Sequence, residues 1–150
     1  MRQLSLFQGP KQRGVRPPPA LEFNSHVVLA DLCRRWMNPG WRFTHIPSGE
    51  HRDHRIGRNG KRYSPTGNRL KRMGLIPGWP DFVFAGPVAH VAWLELKRKK
   101  LGRISDAQDD IGTHLKACGF DFLTTDDVGE AVRWLQQLDI LPSKIKIKVQ

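Results

Sequence analysis

The sequence predicts an α/β domain, a mixed sheet flanked by helices, and three observations carry that expectation. Segments with helical spacing of apolar residues alternate with short β-rich runs. Turn signals at Asn38-Pro39-Gly40, Gly78-Trp79-Pro80 and Gly86-Pro87 separate them. The chain has 150 residues with 39% hydrophobic content, and a chain of that length buries roughly two-thirds of its unfolded surface without disulfides or metal.

The expected order is α-β-(loop)-β-β-α-β-α. Residues 1–19 carry Arg2, Lys11, Arg13 and Arg16, four prolines and no acid, which reads as a flexible basic arm. The domain proper spans 20–140. Its first helix covers 21–37, with Glu22, His26, Leu29, Cys33 and Trp36 on one stripe. Trp41 to Ile46 reads as a strand. Residues 48–72 form a long polar loop, with a helical turn or two from Asn68 to Met73. The β-rich runs 81–85 and 89–97 read as a hairpin turning near Pro87. Ser105 opens a helix whose inward stripe is Gln108, Ile111, Leu115 and Cys118. A strand follows at 120–124. Thr125 then caps a last helix that turns Val128, Ala131, Val132, Leu135 and Leu138 to the core. In the basic tail, 141–150, lysines alternate with Ile145, Ile147 and Val149, a period that suits an edge strand or a disordered end.

Charge narrows the function classes. Twenty-five Lys+Arg against 14 Asp+Glu give a net charge of +11, which points to a polyanionic partner. Between residues 52 and 72 lie eight Lys/Arg and one acid, Asp53. No apolar run approaches the ~20 residues of a membrane span, and the start of the chain is too short and polar for a signal-peptide core. A cytoplasmic, non-secreted protein is expected. Cys33 and Cys118 lack CxxC spacing and read as buried free thiols, without zinc site or disulfide.

Asp81, Glu95 and Lys97 carry the chemistry. Glu95 and Lys97 share a strand face, and the hairpin sets Asp81 opposite or diagonal to Trp93 and Glu95. Diagonal cross-strand neighbours lie ~7–8 Å apart, within reach of one hard cation held between two carboxylates. These charges adjoin the apolar run Val91-Ala92-Trp93-Leu94, and a charge there needs a partner. A salt-bridged surface cluster is the bland alternative. Other candidates are weaker. His51-x-x-His54 lacks a third ligand, and Glu50 reads as a loop acid.

The set Gly78-Trp79-Pro80-Asp81, Glu95-Leu96-Lys97 and Gln108 on the next helix resembles the PD-(D/E)xK nuclease superfamily. More narrowly it is similar to the virus-type replication-repair nuclease (VRR-NUC) domain, over about Glu22 to Leu138. The resemblance implies a restriction-endonuclease-like αβββαβ core and a Mg²⁺- or Mn²⁺-dependent phosphodiesterase acting on DNA. It makes Asp81 and Glu95 metal ligands, with the Leu96 carbonyl completing the protein's share. Lys97 would orient or help deprotonate the attacking water and stabilise charge on the phosphate. Glu22 matches the acid on the family's first helix. Gln108 matches the motif's polar residue, although Ser105-Asp106-Ala107-Gln108 is also a capping box. Two positions depart from the pattern. Trp79 stands where a small aliphatic residue is usual, and His26 stands where a Gln is common. Beside such a centre, Arg69, Lys71 and Arg72, with Arg98, Lys99, Lys100 and Arg103, become a candidate phosphate grip. Stand-alone members of the family imply a homodimer acting on branched DNA such as four-way junctions. The rival readings are an exonuclease or nicking enzyme of the same fold, and a non-catalytic basic nucleic-acid-binding module.

Overall fold

The computed structural model describes residues 20–47, 53, 55–97 and 104–145, with side chains from Asn24 onward. Helix α1 (Ala20–Trp36) leads into strand β1 (Arg42–His45). A small hairpin, β2 (Arg55–Ile56) and β3 (Arg62–Tyr63), is followed by helix α2 (Pro65–Arg72). Strands β4 (Phe82–Ala85) and β5 (Val91–Leu96) precede α3 (Asp106–Ala117), β6 (Asp121–Thr125) and α4 (Val128–Gln137). The main sheet has the order β1-β4-β5-β6. Its first two pairings are antiparallel and β5–β6 is parallel, so the sheet is mixed and flanked by helices, the predicted architecture.

Alternation along the strands separates two faces. On one face Phe82, Phe84, Ala92, Leu94 and Leu96 are fully buried, with Leu29 and Cys33 of α1 and Ala131, Val132 and Leu135 of α4. Trp41, Ile140 and Leu141 close this core. Burial of its thiol pushes the Cys33 pKa up to about 12, which leaves it an inert apolar filler. The other face carries Trp93 and Glu95 of β5 beside Phe122 and Thr124 of β6, and α3 lies on it. A Cβ on Gly112 would come within 2.8 Å of the Phe122 ring, so only glycine lets α3 approach this closely.

Several details differ from the sequence reading. Trp36 is 49% exposed, and the inward stripe of α1 continues instead to Met37, which packs on the core. Leu29, Cys33 and Met37 keep a spacing of four, whereas Trp36 lies about 100° around the helix from Met37. Cys118 is exposed. The buried residues of α3 are Gly112 and Leu115, and a position three further on falls about 60° short of a full turn. The last helix is capped by Asp127, whose side chain accepts from Gly129 N at 2.8 Å. Thr125 is instead the buried last residue of β6, with its hydroxyl accepting from Asp127 N (3.1 Å) and donating to Glu130.

The long polar stretch is structured where it is described. The β2–β3 hairpin closes through Gly57 N to Lys61 O, 2.9 Å. Helix α2 begins at Pro65, three residues before the expected turns. Ser64 caps it by accepting from Gly67 N, and a proline at the first helical position sacrifices no hydrogen bond. Asp53 ties the segment together: its carboxylate accepts from Thr66 N (3.2 Å) and Ser64 Oγ (3.3 Å). Those bonds, with Arg55 nearby, lower its pKa. Residues 1–19 and the alternating stretch from Lys146 on lie outside the described residues.

Candidate active site

The β4–β5 register decides the geometry. Phe82 pairs with Leu94, which centres the turn at Val88 rather than Pro87 and sets Asp81 directly opposite Glu95. The diagonal relation to Trp93 is thereby corrected. Two reciprocal hydrogen bonds lock the pair. Asp81 N donates to Glu95 Oε2 (3.1 Å), and Leu96 N donates to Asp81 Oδ2 (3.0 Å). Asp81 stands just before β4, where Ile46 N donates to its carbonyl at 2.7 Å, so the end of β1 meets the same point.

Lys97 and Gln108 complete the cluster. Lys97 Nζ lies 2.6 Å from Glu95 Oε1 and 2.6 Å from Gln108 Oε1, and Gln108 Nε2 donates to Glu95 Oε1. The Glu95 and Lys97 side chains are 5% and 11% exposed, so this ion pair is held largely away from water. The two readings of Gln108 coexist. Its Oε1 also accepts from Ser105 N (3.1 Å), so the capping box at the head of α3 fixes the side chain that contacts Lys97 and Glu95. Burial, and secondly the charge on Asp81, raise the Glu95 pKa against the opposing pull of Lys97.

His26, expected on the inward stripe of α1 and as a departure from the family pattern, proves to be a member of the site. Its Nε2 lies 3.3 Å from Asp81 Oδ2, with both side chains 16% exposed. The His26 ring packs 5.1 Å from that of His45 and 5.4 Å from Phe82, between α1 and the β1–β4 end of the sheet. The signal was present, since His26 follows Glu22 by one helical turn. The Trp79 ring packs 5.0 Å from that of Trp93, tilted by 50°, on the sheet face that carries Glu95. Gly78, at φ +98°, lies so close to α3 that a Cβ would sit 2.2 Å from Ala107 O. Glycine there lets the chain pass against the start of α3 into Asp81.

Arg69, Lys71 and Arg72 lie exposed on α2, outside this cluster. The side chain of Glu22, and Glu50, His51, His54, Arg98, Lys99, Lys100 and Arg103, fall outside the described residues. Among the described residues no three His, Cys, Asp or Glu side chains converge on a metal site. Asp81 and Glu95 are the carboxylates here that could hold a cation, and oxygen donors of this kind suit Mg²⁺ or Mn²⁺. The raised Glu95 pKa agrees with that fit, because a cation between two crowded carboxylates relieves their repulsion.

Fold and site define an α/β domain with opposed carboxylates and a lysine at one end of a mixed sheet. No protein-family model and no curated protein matches the sequence. A solved structure described as a VRR_NUC domain protein matches it with a TM-score of 0.56 at 19% identity, over 78% of this chain and 86% of that one. At that identity the likeness establishes the fold. Among the described residues no helix is long and apolar enough to cross a membrane.

Proposed function

We propose that this chain is a Mg²⁺- or Mn²⁺-dependent nuclease that hydrolyses DNA phosphodiesters. The observation that carries the reading is Asp81 set opposite Glu95, with Lys97 Nζ shared between Glu95 and Gln108 at 2.6 Å each. A structural ion pair needs no second carboxylate pressed against the first at an energetic cost. Asp81, Glu95 and the Leu96 carbonyl would hold the cation, which when bound supplies Lewis-acid charge against the phosphate oxygens. Lys97 sets a fixed positive charge beside them, where it orients the attacking water and stabilises charge growing on the phosphate. Gln108, pinned by Ser105, keeps the ammonium in place, and His26 orients Asp81. The excess of basic residues supplies the sequence-independent hold on the backbone.

The resemblance to the VRR-NUC family supports a finer reading, in which a homodimer acts on branched DNA such as four-way junctions. A domain of this size carries one such centre, and cutting both strands at a junction requires two. The test incubates labelled duplex, flap and four-way-junction DNA with the protein and Mg²⁺, Mn²⁺ or EDTA. Metal-dependent cleavage is expected, fastest on the junction, with light scattering near twice 17.2 kDa. A monomer that digests linear DNA from its ends would overturn the junction reading alone. Binding without cleavage in either metal would leave a non-catalytic DNA-binding module.

A further inference from the structure

The segment between β1 and β4 begins and ends at the candidate site. Ile46, at its entry, bonds to Asp81, and its exit runs past α3 at Gly78 into Asp81 itself. Within it the β2–β3 hairpin forms its own two-stranded sheet, and all four strand residues are exposed. Arg55, Arg58, Lys61 and Arg62 make the hairpin basic, and α2 adds Arg69, Lys71 and Arg72 without an acid in its first turn. For a phosphate grip these charges suffice. The apolar residues among them do not fit that role.

Ile56 is 72% exposed and Tyr63, the single tyrosine of the chain, is 43% exposed. Pairing sets Ile56 opposite Arg62 and Tyr63 opposite Arg55, so each apolar side chain stands across from a cation. Met73 and Ile76, just after α2, are also exposed. This segment therefore holds four of the ten large exposed hydrophobics among the described residues. A hairpin of two-residue strands offers no continuous apolar face for a membrane, and an apolar protein groove would not call for a guanidinium across from both Ile56 and Tyr63. Bases do. Their faces take aromatic and aliphatic side chains while the adjoining phosphates take the arginines.

We propose that the β2–β3 hairpin is a base-contacting wedge: Ile56 and Tyr63 lodge against unstacked bases of DNA while Arg55 and Arg62 hold the flanking phosphates. This rests on the DNA-directed reading above and names the substrate feature recognised, a step where stacking is already broken. Intact duplex offers apolar side chains no base face without the cost of unstacking, so a bulge or branch point is favoured.

The test uses the full chain without divalent cation, so that cleavage plays no part. The probes are a perfect duplex and the same duplex with a two-nucleotide bulge, each with 2-aminopurine at the matching position. Wild type should bind the bulged probe about tenfold more tightly, with changed 2-aminopurine emission. Ile56→Ser with Tyr63→Ser should bring that ratio near one and leave the salt dependence intact. Because both positions are exposed, circular dichroism should match wild type. Arg55→Gln with Arg62→Gln should weaken both probes alike and flatten the salt slope by up to about two. Equal affinity of wild type for the two probes, or a preference surviving in the serine variant, overturns the wedge alone. Failure of wild type to bind either probe at low salt overturns the DNA-directed reading as well.

Discussion

Glu95 sits where burial and a like charge act against its ionised form, and Lys97, with the Asp81 N–H, only partly offsets them. The sign of the pH dependence follows. With its folded pKa raised above the ordinary 4.5, Glu95 holds its proton more tightly folded than unfolded. In the window from 4.5 up to that raised value its contribution makes the metal-free protein less stable as pH rises. Asp81→Asn removes the like charge and keeps an oxygen for Leu96 N, so this slope should shrink. Burial is the larger cause, so the slope should not vanish. Urea midpoints in EDTA across that window measure it, and identical slopes in both proteins would count against the crowded pair. In cleavage assays Asp81→Asn and Glu95→Gln should be inactive, and Lys97→Met should lose about 10²–10³-fold in kcat. His26→Ala should lose about 10-fold, expressed in metal affinity if it orients Asp81. His26→Ala with unchanged metal affinity would leave this histidine a packing residue against Phe82.

Among the elements, the β4–β5 connection carries the most backbone strain. Val88 and Ala89 both have positive φ, at 56° and 57°, and His90 N closes the turn on Pro87 O at 3.1 Å. A turn whose two central residues both have positive φ favours Asn-Gly, and a β-branched valine in the left-handed region is costly. Val88 is 99% exposed, so no contact compensates for it. Val88→Asn with Ala89→Gly should therefore stabilise the protein by about 1–2 kcal/mol. The urea midpoint should rise at constant m, with cleavage unaffected because the turn lies at the opposite end of β4 from Asp81. The same turn marks how far the sequence was legible. Two β-rich runs flanking Gly86-Pro87 implied the hairpin, but nothing in Pro-Val-Ala advertised this turn, so the register stayed one residue uncertain. That single residue separates a diagonal Asp81 from one facing Glu95. The first turn of α2 is hard to read from the sequence for a similar reason, since Ser64-Pro65 is a start signal without an apolar stripe behind it. The two-residue strands of the hairpin are too short for alternation to register. His26 was legible by position only, because its approach to Asp81 depends on how α1 packs on the sheet.

Over the whole molecule, a net charge of +11 is unevenly spread. Seven cations between Arg55 and Arg72 sit on one segment whose two ends meet Asp81. Each phosphate neutralised on duplex DNA contributes about 0.9 to the slope of log K against log salt, so about six contacts imply a slope near −5. Replacing Arg69, Lys71 and Arg72 together with glutamine should flatten it by up to about three. Glutamine keeps α2 helical. Loss of the cations in its last turn costs about 0.3–1 kcal/mol each, while the Ser64 cap and the Asp53 contacts are untouched. A thermal midpoint within a few degrees of wild type would show that any change in slope comes from the DNA contact. Weakening should be equal on duplex and bulged probes, because these side chains meet phosphate and carry no preference for a distorted step. An unchanged slope would mean that α2 turns its charges to solvent, and the grip would then pass to the 97–103 run, whose neutralisation is the matching measurement.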